Sequence, residues 1–432
     1  MDMPKARFVL LITMALLASC TSTRFSSGQK TQTITVSNRS SVALSDKPVA
    51  IKRGSLQQIS AGKFPIVISI TNDTIPSQLD DLNGDNKWDE LFFVVSLPAN
   101  GSSNYSLQWT DVKPVYKPRT SVRFGKRMLA NAPVQPATSE VVNQRDLPKS
   151  IGFQRYQTDG PTWENDKVGF RHYLDGRNAK DVFGKLTPEM SPEKVGINAR
   201  EAVEDNYHVM AQWGRDILAV GNSIGIGGIA LVEGDQLFRL GVTVDDSVNN
   251  VAQTNFNIVT EGPVRSMIKF NYNSWIPVSG RTYNVQETTS ITPGMYAYKN
   301  TISVSGLQGA EALGVGIVKI NSEKEPLVVP VDNNWIALVS HDKHTYNKEW
   351  WLGLALIVPA KAYKGFITAP KTGKLSNTFL AKLDVKNDTP VSYYSVAGWE
   401  LSDPGFKDEA YFKKYVEELT RQVAAEISIS VK

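Results

Sequence analysis

From Thr31 onward the apolar residues recur with a period of two. Thr33-Ile-Thr-Val36 alternates, as do Ile66 to Ile70 and Leu91 to Leu97. That period marks a strand with one buried face. Pro98-Ala-Asn-Gly101 supplies a turn before a further alternating run, Tyr105 to Trp109. These runs predict a small β-sandwich over residues 31–115, closing near the Pro-rich stretch Lys113 to Pro118. Longer strands follow at Gly228–Val232, Gln236–Val244, Val264–Tyr272, Tyr283–Ile291, Lys299–Val304 and Trp351–Val358. They predict large antiparallel sheets packed face to face over residues 120–432. Helical spacing is clear only near the end, where Asp408 to Ile427 sets Tyr411, Tyr415 or Val416, Leu419 and Val423 on one stripe. The predicted fold class is therefore mainly β: a small N-terminal sandwich, a large antiparallel domain and a C-terminal α-helix.

The first thirty residues break this pattern. Lys5 and Arg7 precede an apolar run from Phe8 to Leu17. The run is too short to span a bilayer, which takes about 20 residues, and it suits the apolar core of an export signal. It ends in Leu17-Ala18-Ser19-Cys20, the arrangement of a bacterial lipobox. Residues 1–19 are read as a lipoprotein signal peptide, Cys20 as the lipid acceptor and residues 20–30 as a tether. The expected location is the Gram-negative cell envelope, on the periplasmic side or at the outer-membrane surface. Cys20 is the only cysteine, so neither an internal disulfide nor a thiolate metal cluster can form. Lys and Arg total 47 against 43 Asp and Glu, scattered along the chain, which argues against nucleic acid as a partner. No glycine-rich phosphate loop, G-x-S-x-G elbow or H-E-x-x-H motif occurs.

Four stretches are dense in polar chemistry. In the first, Asp81, Asn83, Asp85 and Asp89 fall at the spacing of a calcium loop. Gly84 and Phe92 do not suit an EF-hand, and an Asx-rich turn explains the same residues without calcium. The second runs from Gly160 to Asp181. Strand alternation sets Phe170, His172 and Leu174 on one face, with Arg171, Tyr173 and Asp175 on the other. His172 then reads first as a core histidine and second as a catalytic one. Arg171 and Arg177 are candidate anion binders, with Glu164, Asp166 and the stacking ring of Trp163 as substrate-binding candidates. A salt-bridged sheet surface is the plainer alternative. The third stretch holds His208, Trp213, Asp216 and Asn222. His208, among polar neighbours, is the expected proton-transfer group. In the fourth, His341 and His344 are spaced without helical context and do not define a metal site.

Taken together, several segments resemble the uncharacterised bacterial domain family numbered 4861 among domains of unknown function. They are Trp163-Glu-Asn-Asp166, Phe170 to Ala179, Asp181-Val-Phe-Gly-Lys185, Trp213-Gly-Arg-Asp216, Gly221-Asn-Ser223, the Asp81–Leu91 turn and Ala397-Gly-Trp399. The resemblance covers nearly the whole mature chain. It implies a Bacteroidetes setting beside polysaccharide-degrading enzymes, and relatives that include an oligosaccharide dehydratase acting on terminal uronic acids; it assigns no residue a role. Glu261-Gly-Pro-Val-Arg-Ser266 and the strand after it are similar to galactose mutarotase-like and polysaccharide-lyase domains, which implies that the large domain is a β-supersandwich.

Three readings of function follow. A carbon–oxygen lyase on uronic-acid oligosaccharides would use His208 as base, Tyr173 as acid and Arg171 or Arg177 to neutralise the substrate carboxylate. A glycoside hydrolase would need two carboxylates from Glu164, Asp166 and Asp216 flanking one bond. A non-catalytic glycan binder would stack sugars on Trp163, Trp213 and Trp399. In each the expected partner is an oligosaccharide or polysaccharide fragment. No cofactor beyond calcium is suggested.

Overall fold

The computed structural model describes residues 31–57, 59–278 and 280–432. The signal-peptide, Cys20 and tether expectations lie outside the described residues.

Strand Gln32–Asn38 shows how the first sheet is built. Its alternate residues Ile34 and Val36 are fully buried, and its other face is open. It sits second in a five-stranded sheet ordered Ile427–Val431, Gln32–Asn38, Ser102–Thr110, Phe64–Ser69, Thr74–Ile75. A three-stranded sheet of Leu44–Lys52, Glu90–Leu97 and Ser77–Asp80 accompanies it. Val49, Leu91, Phe93, Leu107 and Trp109 join Ile34 and Val36 in a core of their own. One strand of this sandwich comes from the far end of the chain: Ile427–Val431 pairs with Gln32–Asn38 through Val36↔Ile429 and its neighbours. The 31–115 unit thus takes its edge strand from a segment that the sequence reading had kept in the large domain.

The large domain is built on a nine-stranded antiparallel sheet in the order Ser139–Asn143, Val251–Glu261, Ser266–Trp275, Tyr283–Ile291, Ala297–Ser305, Val391–Trp399, Leu352–Pro359, Trp335–Asp342, Leu327–Pro330. Two five-stranded sheets share its hydrophobic core. One of them carries the site and runs Gly214–Asp216, Lys180–Lys185, Val168–His172, Thr162–Asn165, Thr120–Arg123. The other runs Gln236–Arg239, Ile229–Glu233, Ala312–Val318, Thr378–Asp384, Tyr363–Thr368. The strand expected over 236–244 stops at Arg239, because Gly241, at φ 89°, turns the chain.

The C-terminal helix spans Glu409–Ala424 and is capped by the Asp408 side chain, which accepts the Tyr411 amide at 2.7 Å. Its buried stripe runs through Phe412, Val416, Leu419 and Thr420, leaving Tyr411 exposed, which moves the expected stripe by one residue. Phe412 lies over Gly353 and Gly398, where an added Cβ would meet its ring at 2.4 and 2.9 Å.

Candidate functional site

Arg171 and its neighbours arise from one alternating strand. In Val168–His172 the side chains of Phe170 and His172 enter the shared core, so Arg171 takes the opposite face of the sheet. The ladder pairs Arg171 with Asp181, and Phe183 with Asp216, which gathers these groups on that face. Residues 186–213 cover it. This segment is fastened by Glu164, which pairs with Lys185 and accepts the Ser191 amide at 3.0 Å, and by Arg123, which donates to the Ser191 hydroxyl at 2.8 Å.

At the centre, one guanidinium serves two carboxylates. Arg171, 1% exposed, holds Asp181 through Nε at 3.1 Å and a second contact through Nη2, and reaches Asp216 Oδ2 at 2.7 Å. It also donates to the Tyr173 hydroxyl at 2.5 Å, which in turn donates to Asp181 at 2.7 Å. Two buried carboxylates with one cation leave an excess negative charge. Burial first, and then the charge of Asp181, raises the Asp216 carboxyl to about 8.

The open side of this cluster is His208. Its imidazole is 41% exposed, and Nδ1 lies 3.5 Å from Asp216 Oδ2. Burial first, and then the Arg171 charge, hold its pKa below the ordinary histidine value. Both shifts favour the uncharged forms of the two groups. Tyr346 closes the other side, donating to Asp216 at 3.4 Å, with its ring edge-on to His208 at 5.5 Å. Burial, then Asp216, raises its hydroxyl well above the ordinary value. Asn347 and Lys348, each at φ 56°, turn the chain sharply just after it. Arg215 lies beside Tyr346 and Trp350, with ring distances of 5.9 and 5.6 Å, and its counter-ion is the exposed Glu349 at 3.4 Å.

A second polar group adjoins the first. Arg177 stacks on the Tyr173 ring at 3.6 Å and pairs with Asp175 at 2.6 Å and Asp159 at 3.4 Å. Burial, then Asp175, raises the Asp159 carboxyl to about 6. These three residues line a cavity of about 200 Å³ with Gln154 and Asp246. Gln154 and Tyr207, 3.5 and 2.9 Å from the same Asp205 carboxylate, link that cavity to the His208 segment.

The remaining candidates sit elsewhere. His172 is fully buried, beside the core ion pair Lys180–Glu287 and 3.4 Å from the Tyr272 hydroxyl. Burial first, and then Lys180, hold it neutral with a pKa of about 3, so its place is in the core and not among proton-transfer groups. Trp163, 1% exposed, stacks on Phe170, and Trp399 is equally buried against Trp350; neither offers a ring face to a sugar. Trp213 is half-buried beside Phe183. Asp166 is occupied by Arg119 at 2.6 Å and by the Gly294 amide at 2.8 Å. Asn222 donates weakly to Gly373 at 3.4 Å, and its carbonyl accepts from Arg239 at 2.6 Å.

In the 81–89 turn, the carboxylates accept the turn's own amides. Asp81 receives Gly84 and Asn86, Asp85 receives Lys87, and Asp89 receives Leu82. This is Asx-turn geometry, and among the described residues no group of three His, Cys, Asp or Glu side chains converges as a metal site. Sequence reasoning did not single out Tyr346, Arg215, Asp159 or Asp181. Asp159 and Asp181 lie beside and within the second polar stretch and Arg215 within the third, whereas Tyr346 lies outside all four.

The chain belongs to the family described as a domain of unknown function, DUF4861, whose model matches residues 36–429. It is 27% identical over 303 residues to "Uncharacterized protein P7" of Formosa agariphila, covering 65% of this chain and 69% of that protein. Among solved structures, an alpha-mannosidase from Enterococcus faecalis aligns with 93% of this chain at TM-score 0.50 and 10% identity. A glycosyl hydrolase family 38 protein from the same organism aligns at TM-score 0.49 and 9% identity over 93% of this chain. This chain spans 46% and 47% of those two chains. The likeness to the alpha-mannosidase is one of fold.

Proposed function

We propose that this protein is a carbohydrate-active lyase of the dehydratase type, acting on oligosaccharides that carry a uronic acid. The observation that carries the proposal is the half-exposed His208 imidazole set against the buried Asp216 carboxyl, with the Tyr346 hydroxyl on the same carboxyl group. A saccharide substrate is suggested by the family resemblance, and by a fold shared with part of an alpha-mannosidase chain, which is analogy only.

In this reaction His208 takes the proton from the carbon beside the substrate carboxylate, through Nε2. The electron pair forms a carbon–carbon double bond as the β-oxygen leaves with a proton from Tyr346. Asp216 lies within reach to return a proton to the Tyr346 phenolate. Arg215, whose partner is an exposed glutamate at 3.4 Å, receives the substrate carboxylate. Arg171 is excluded from that task because it is buried and its donors go to Asp181, Asp216 and Tyr173. Tyr173 is buried against Arg171 and Asp181, so the acid role passes to Tyr346.

The two-carboxylate hydrolase reading loses its first candidates, because Glu164, Asp166 and Asp216 are each committed to a different cation. It survives in Asp159 and Asp175, which share Arg177 beside a cavity. Lipidation at Cys20, checked by metabolic labelling with a palmitate analogue, would place the protein in the cell envelope.

The test is to incubate the protein with uronic-acid oligosaccharides, following ultraviolet absorbance of an unsaturated uronate and product mass. Elimination that disappears in His208→Ala and in Tyr346→Phe supports the reading. New saturated fragments that disappear in Asp159→Asn, with no absorbance change, would replace it with hydrolysis.

A further inference from the structure

A separate cavity of about 540 Å³ lies between the small sandwich, the nine-stranded sheet and helix 409–424. None of the residues around His208 lines it. Its volume is that of a small-molecule site, about 300–1,000 Å³. One wall is apolar and aromatic, with Phe92, Met295, Tyr394, Tyr415 and Leu419. Hydroxyl and amide groups of Ser45, Ser290, Thr292 and Gln422 interrupt it.

The charges lining this cavity are unbalanced. Asp46 is held by both terminal nitrogens of Arg119 at 2.7 and 2.8 Å, and Arg265 by Asp80 and Glu90. Glu418 is exposed and pairs with Lys414 at 3.7 Å. Among the described residues neither Lys47 nor Lys299 pairs with a carboxylate. Lys47 donates only to the Gln422 and Val423 carbonyls, at 2.8 and 3.2 Å, which uses two of its three donors. The Lys299 side chain makes no ion pair or hydrogen bond among the described residues. Burial lowers the pKa of Lys47 to about 8. An anion bound beside Lys47 would reverse that penalty.

We propose that this cavity is a second ligand site, which takes a carboxylated sugar with its carboxylate at Lys299 and Lys47 and its ring against Phe92, Tyr394 and Tyr415. The carboxylate follows from the two lysines, whereas the choice of a sugar body rests on the uronic-acid reading of the His208 site.

The experiment is calorimetry with digalacturonate and with neutral galactobiose, in a His208→Ala background that does not turn over. Lys299 is exposed on its strand, so Lys299→Met retains the fold, which circular dichroism checks. Two digalacturonate sites per chain, one lost in Lys299→Met and the other in Arg215→Met, uphold both proposals. One site, lost in Lys299→Met alone, upholds the cavity and contradicts the reading at His208. In either case galactobiose binds the cavity at least tenfold more weakly. Digalacturonate binding that Lys299→Met leaves unchanged, or no binding at millimolar ligand, overturns the cavity site.

Discussion

Arg171→Met is the sharpest test of the buried charge cluster. The methionine keeps the aliphatic stem of a side chain that is 1% exposed, but removes the cation shared by Asp181 and Asp216. Both carboxylates are fully buried, so neither can be rescued by water. Breaking a buried pair from one side costs about 3–5 kcal/mol, because a charge is left behind. The sign with pH follows from linkage. In the wild type the folded Asp216 pKa is about 8, above the ordinary value of about 3.9. Its proton therefore stabilises the fold at low pH, and that contribution is lost as pH rises toward 8. Without Arg171 both carboxylates behave this way, so the penalty grows with pH, by at most about 1.4 kcal/mol per unit for each extra proton. Urea unfolding at pH 5 and pH 8, followed by tryptophan fluorescence, measures it. Arg171→Met should lose more stability at pH 8 than at pH 5. Adding Asp181→Asn and Asp216→Asn should restore most of it. A variant as stable as wild type at pH 8, or a penalty equal at both pH values, refutes the reasoning.

Other outcomes follow from the same geometry. Glu164→Gln leaves the buried Lys185 with the Asn165 carbonyl but no counter-ion, and loosens Ser191; it should cost about 1–3 kcal/mol and speed tryptic cleavage at Lys194 and Arg200. In Gly184→Ala the new Cβ would meet the buried Trp399 ring at 2.3 Å; the expected overpacking penalty is about 1–3 kcal/mol in urea unfolding. Truncation before Ile427 removes one of the two strands paired with Gln32–Asn38; amide exchange across residues 32–38 should accelerate, while the Val168–His172 strand stays protected. Tyr173→Phe should disturb stability more than turnover, because its hydroxyl touches Arg171 and Asp181 rather than solvent.

How much was legible in the sequence depended on range. The alternation of Phe170, Arg171, His172 and Tyr173 correctly separated core from polar face, because a strand's period is local. Trp163 shows where local reading stopped. Its charged neighbours suggested a sugar platform, but the hairpin pairs it with Phe170 and so points it into the core. The same alternation at Ile427-Ser-Ile-Ser-Val431 announced a strand, obscured by running the helix to Ile427. Between Tyr411 and Phe412 only packing on Gly353 and Gly398 decides which ring is buried. Tyr346 meets Asp216 across 130 residues of chain, and no spacing in one sequence encodes such a contact.

In the proposed elimination His208 removes a carbon-bound proton while Tyr346 assists the leaving oxygen. The measurement that tests it most directly is hydrogen exchange from substrate in deuterated water, read by nuclear magnetic resonance. Tyr346→Phe keeps the base and lacks the acid, so it should wash deuterium into the carbon beside the uronate carboxylate without completing elimination. His208→Ala should show no exchange. Exchange that persists in His208→Ala would contradict the account.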